Sequence, residues 1–233
     1  MQPIRHRSPV SVLSGTALPV TVWLLAAWLA GCSSMYYSTM EAFGYAKREL
    51  LVDRVSDARE SQQEAQEEFK STYEALRSLT GVSGGELEER YEDLAAEYQR
   101  SKSAATDVTR RIAAVEDVSQ AMFTEWAEEI EQIQNPALRQ QSVELKRSTE
   151  QRYAGLLESM RNAEGRMQPV LAAFQDQVLF LKHNLNAQAI ASLREVAVEI
   201  GSDVDALIAQ MQEAITAADE FIATMQPVGS DGG

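Results

Sequence analysis

Apolar residues recur along most of this chain in alternating steps of three and four. One stripe runs Leu51, Val55, Ala58, Gln62, Ala65, Phe69, Thr72, Leu76, Leu79. A second runs Leu87, Tyr91, Leu94, Tyr98, Ser101, Ala105, Val108, Ile112, Val115, Ser119, Met122, Trp126, Glu129, Ile133. A third runs Tyr153, Leu156, Met160, Ala163, Met167, Val170, Phe174, Val178, Leu181, Leu185, and a fourth Leu193, Val196, Ile200, Val204, Leu207, Met211, Ala214, Ala218, Phe221, Met225. Such spacing keeps one face of an α-helix apolar, and its seven-residue period predicts left-handed supercoiling.

Turn residues divide the stripes. Thr80-Gly81-Val82-Ser83-Gly84-Gly85 is one break, Asn135-Pro136 a second, and Asn184-Leu185-Asn186 a weaker third. Asparagine suits both ends of a helix, as an N-cap and in the left-handed conformation. The predicted helices span 38–80, 86–134, 137–184 and 187–226. They are similar in length, on the order of 60–75 Å at 1.5 Å per residue. Short connections between matched helices favour antiparallel neighbours. The chain therefore reads as all-α: one domain over 38–226, a long antiparallel bundle or coiled coil of about four helices. The alternative fuses the last two segments into one very long helix. Pro169 predicts a kink near Gly165, because proline removes a donor and crowds the preceding turn. Gly201-Ser202 is a second candidate bend.

The N-terminus has a different pattern. Arg5, His6 and Arg7 precede an apolar run from Ala17 to Ala30, and no acidic residue occurs before Glu41. This is the form of a secretory signal, and the run is shorter than the roughly 20 residues needed to span a bilayer. Leu29-Ala30-Gly31-Cys32 resembles the bacterial lipobox, in which cleavage after Gly31 leaves a diacylated Cys32. Residues 1–31 are then a removed signal, 32–37 a lipidated cysteine with a short spacer, and 227–233 a disordered tail. Ser33, rather than Asp, directs a lipoprotein to the outer membrane under enterobacterial-type sorting. The expected location is the inner leaflet of that membrane, facing the periplasm. Cys32 is the only cysteine in the chain, so a disulfide within one copy is excluded.

Charge narrows the partners. Residues 32–233 keep all 35 acidic residues and 19 of the 21 basic ones, a formal charge of −16. That balance argues against nucleic acid, which requires clustered cations, and against electrostatic adhesion to anionic lipid. Attachment to the membrane is expected through the acyl groups on Cys32.

A catalytic constellation is not legible. The only histidine beyond the signal is His183, and Phe180 stands three residues before it, where a paired carboxylate–histidine di-iron motif needs Glu. No metal, cofactor or enzymatic activity is expected. Among the polar residues on the seams, Gln62, Ser101, Ser119 and Glu129 read as register markers more than as a buried site. The stretch from Val178 to Leu181 is apolar on several faces and ends in Lys182, His183 and Asn184. Phe180, Lys182, His183, Asn184 and Asn186 form a candidate partner-docking tip. Tyr36, Tyr37, Phe43 and Tyr45 cluster beside the anchor and form a candidate membrane-interface group.

The stretches Tyr36-Tyr37-Ser38-Thr39-Met40-Glu41, Arg48-Glu49-Leu50-Leu51-Val52-Asp53-Arg54-Val55 and Leu181-Lys182-His183-Asn184-Leu185-Asn186-Ala187 resemble a family of proteobacterial proteins known as domain of unknown function 2959. The likeness covers nearly all of the chain after the signal. It implies a Gram-negative envelope setting and carries over no activity and no functional residue. The expected function is a structural or adaptor lipoprotein that binds another envelope protein through helical surfaces, with homo-oligomers allowed by the same surfaces. The alternative is a helical protein that inserts into or remodels lipid.

Cys32→Ala removes the only thiol and thus the only acyl acceptor. Palmitate labelling of the chain should disappear and cleavage after Gly31 should fail. Labelling that survives the substitution would end the lipoprotein reading.

Overall fold

The computed structural model describes residues 32–81 and 86–225, with side chains from Lys47 onward, Ala187 apart. The signal 1–31 with its cleavage residue Gly31, residues 82–85 of the first turn, and the tail 227–233 lie outside the described residues. So do the side chains of Cys32, Tyr36, Tyr37, Phe43 and Tyr45. The chain divides into two compact units, Met1–Phe43 and Gly44–Gly233. In the first, only the helical backbone from Cys32 is described, so the helix assignment begins there and includes the expected spacer 32–37.

The second unit is an all-α bundle. Four helices follow in order: α1 (Cys32–Leu79), α2 (Leu87–Gln132), α3 (Pro136–His183) and α4 (Ala187–Met225). No strand occurs among the described residues. Cross-helix contacts fix an up-down-up-down arrangement. Between α1 and α2, the Thr72 and Ser101 hydroxyls meet at 2.8 Å, Arg111 reaches Asp57 at 2.7 Å, and Lys47 lies 3.2 Å from Glu125. Residue numbers fall along α1 as they rise along α2, so the pair is antiparallel. Between α1 and α4, Arg194 donates to the Thr80 carbonyl at 3.0 Å, Gln66 to the Ile208 carbonyl at 3.2 Å, and Arg59 to Asp219 at 2.6 Å. Phe123 of α2 packs edge-on against Tyr153 of α3, which in turn packs edge-on against Phe221 of α4. Across the diagonal, the Phe69 and Phe174 ring centres are 6.3 Å apart.

The seams form the core. Every residue of the first stripe is buried, Gln62 and Thr72 included. The small side chains of Ala58, Ala65 and Ala105 on these seams are buried as well, which lets the helix axes approach. Each fully buried Leu, Val or Phe contributes about 1.5–3 kcal/mol relative to exposure. The surface ion pairs contribute about 0–1 kcal/mol each. One seam drifts from expectation. After Trp126 the buried residue of α2 is Ile130, while Glu129 and Ile133 are only half-buried. The drift begins beside Met225, the last residue of α4, which lines the same cleft as Trp126 and Glu129.

The breaks have local causes. Asn135 accepts from the Ala137 and Leu138 amides at 2.9 and 3.3 Å, with Pro136 in the first turn where its missing donor costs nothing. Arg139 closes the turn by donating to the Ile133 carbonyl at 2.7 and 2.9 Å. The third break is a true one. Asn184 donates to the Phe180 carbonyl at 2.8 Å, and Asn186 accepts from the Gln188 and Ala189 amides at 3.1 and 3.0 Å. One asparagine ends α3 and the other starts α4, so the last two segments are separate helices and not one. Within α3, the helix continues unbroken through Gly165 and Pro169, flanked by buried Met167, Val170, Leu171 and Phe174. Likewise α4 runs unbroken through Gly201-Ser202. Gly201 serves packing: a Cβ built there falls 2.7 Å from Cζ of Tyr73 on α1.

Gly201→Ala should therefore destabilise the bundle by about 1–3 kcal/mol, even though alanine favours helix over glycine by about 1 kcal/mol. Urea unfolding followed by circular dichroism measures the difference, and adding Tyr73→Leu should recover part of it. A single variant as stable as the parent would mean that the phenol ring moves aside freely.

Candidate functional site

The polar residues on the seams divide into three kinds. Ser101 is matched by Thr72 across the α1–α2 interface, so two buried hydroxyls satisfy each other. Ser119 donates to the Glu116 carbonyl at 2.8 Å, and burial pushes the pKa of Tyr153 above the usual phenol range. Gln62 is different: it is 1% exposed, and neither its amide nitrogen nor its oxygen finds a partner. An unpaired buried polar group costs about 1–3 kcal/mol.

Glu129, the fourth, opens onto a cleft of about 370 Å³. This cleft lies at the end of the bundle where α1 enters the second unit and α4 stops. Arg48 of α1, Met122, Glu125, Trp126 and Glu129 of α2, Leu145, Thr149 and Arg152 of α3, and Thr224 and Met225 of α4 line it. Met122, Thr149 and Met225 are buried, whereas Leu145 is 55% exposed. Arg48 donates to the Met225 carbonyl, and Arg152 to the Thr149 hydroxyl at 3.2 Å. The Glu125 carboxylate takes Lys47 as its ionic partner. Burial raises the pKa of Glu129, the Glu125 charge raises it further, and Lys47 opposes both. The cleft thus joins sulfur, indole and alkyl surface to cationic groups, with one of its carboxyls biased toward the neutral form.

The expected docking tip lies at the other end, beside the turn that follows α1. Its residues do not act as one group. Asn184 and Asn186 are occupied in capping. Leu181 is fully buried, and Val178 half-buried. Phe180 at 43% exposure, Leu179 at 55%, Lys182 and His183 face outward. Sequence reading missed the cleft, except for Glu129. The available signal was Trp126 and Glu129 in succession on a seam, a place where the apolar stripe loosens.

A long antiparallel four-helix bundle, all-α throughout its described residues, is the class these features define. Residues 36–225 match the model of the family described as Protein of unknown function (DUF2959), and the chain belongs to that family. No curated protein matches the sequence.

Because its folded-state pKa is raised, Glu129 keeps its proton to higher pH in the bundle than in the unfolded chain. Its contribution is most favourable at low pH and is lost as pH climbs from the unfolded to the folded pKa. Glu129→Gln, neutral throughout, should match the parent below about pH 4 and exceed it in stability at about pH 7. Urea midpoints across that range measure the crossover. A parent that is the more stable protein at neutral pH would show that the ionised carboxylate is favourably held.

Proposed function

We propose that this protein is a lipid-anchored component of the bacterial envelope with a structural or adaptor role, held at the inner leaflet of the outer membrane and facing the periplasm. The observation that carries the reading is the outward-facing pair Leu179 and Phe180 at the end of the bundle opposite the one where α1 enters. Large apolar side chains exposed side by side at a bundle end suit a partner surface better than they suit water. Lys182 stands beside them, a cation on a chain of net negative charge. A partner presenting an apolar pocket rimmed by carboxylates fits both features.

The long helices give the adaptor its reach. From Lys47 to Leu79, α1 covers 33 residues, or about 50 Å at 1.5 Å per residue. Among the described residues no helix is long and apolar enough to cross a membrane, so the lipid supplies the attachment in this reading. The role is non-enzymatic: the cleft and the tip serve recognition.

A photo-crosslinking residue placed at Phe180 in living cells tests the proposal against the same residue placed at Val198, which is 74% exposed on α4. A discrete crosslinked species from position 180 and not from 198 is expected, lost when Leu179→Ser is added without change in helicity. Equal, diffuse crosslinking from both positions would reject the adaptor tip.

A further inference from the structure

We propose that the cleft between Arg48, Trp126, Leu145 and Arg152 binds a single-chain anionic amphiphile, a fatty carboxylate whose chain lies on the Trp126–Leu145 wall and whose head meets the two guanidinium groups.

The volume of about 370 Å³ falls in the range of small-molecule sites, about 300–1,000 Å³. The buried methionines Met122 and Met225 offer flexible, polarisable surface that adapts to an alkyl chain. Leu145, more than half exposed, has apolar surface to bury there. An apolar chain is therefore favoured over a sugar or another wholly polar ligand.

Charge sets the head group. Several arginines of the bundle pair with carboxylates, Arg54 and Arg111 with Asp57, Arg59 with Asp219 and Arg161 with Glu116 among them, while others on the open surface do not. Among the described residues, Arg48 and Arg152 have no such pair, although two glutamates line the same cleft. One of those glutamates is engaged by Lys47, and burial disfavours ionisation of the other. The guanidinium charge is left facing the cleft, in the planar, multi-donor form that suits a carboxylate. A cationic ligand would meet Arg48 and Arg152.

Photoaffinity labelling tests the assignment on the full-length protein in isolated cell envelopes. The probe is dodecanoate carrying a diazirine at the chain terminus, and labelled peptides are mapped by mass spectrometry. Label should concentrate on the segments containing Trp126 and Leu145. Excess dodecanoate should compete, and dodecanol or phosphatidylglycerol vesicles should not. Arg152→Gln, at an exposed position on α3, should reduce labelling about ten-fold, with partial recovery in Arg152→Lys. Leu145→Trp should block the cleft by volume, with helicity checked in each variant. Label scattered over the chain, equal competition by dodecanol or by the vesicles, or undiminished labelling of a folded Arg152→Gln protein would overturn the proposal. None of these readouts depends on a partner at the Phe180 tip.

Discussion

A helix of about 40 residues gains little in water from its own hydrogen bonds, since the unfolded backbone bonds equally well to solvent. What holds these helices is the burial of one narrow strip on each, and that strip exists only because apolar residues keep the alternating three-four rhythm. Leu51 through Leu79, Leu94 through Met122, Leu156 through Leu181 and Leu193 through Met225 all turn toward one continuous interior. The capping asparagines, the cross-helix arginines and the cleft are arranged around that interior. The cleft opens where the rhythm of α2 drifts and α4 ends, so its place in the molecule follows from the core's own boundary.

Electrostatics act on the surface of this arrangement without supporting it. The chain carries a formal charge of −14, yet its arginines are spread so that several bridge neighbouring helices: Arg59 joins α1 to α4, Arg111 joins α2 to α1, and Arg161 joins α3 to α2. Each pair is partly solvated and individually weak. Together they favour each helix having its proper neighbour, because a wrong pairing would bring carboxylates face to face. These pairs bear on which helices neighbour one another more than on stability.

The fold was legible in the sequence because it rests on a periodic signal. All nine residues of the first stripe are buried, and the caps at Asn135 and Asn186 stand where turn chemistry placed them. Weaker features needed three dimensions. Whether Asn184-Leu185-Asn186 broke a helix depended on which atoms the two amides reach. Gly201 looked like a bend but accommodates the Tyr73 ring on another helix, and a single sequence does not reveal that neighbour. Pro169 lies inside α3, and the helix continues through it, with buried Met167, Val170 and Phe174 on either side. The family was legible from three motif stretches. The cleft was not, because Arg48, Trp126 and Arg152 come from three separate helices and none stands out alone.

The Thr72–Ser101 hydrogen bond has a consequence for length. A seven-residue repeat by itself permits neighbouring helices to slide by one repeat and bury nearly the same apolar area. Here such a slip would separate the two hydroxyls and leave each facing carbon, at a cost of about 1–3 kcal/mol per group. The helices are thus indexed against one another, and the distance between the two ends of the bundle becomes a property written in the chain. The span of such a bundle changes only in whole repeats, about 10 Å at a time, and only if all four helices lengthen together.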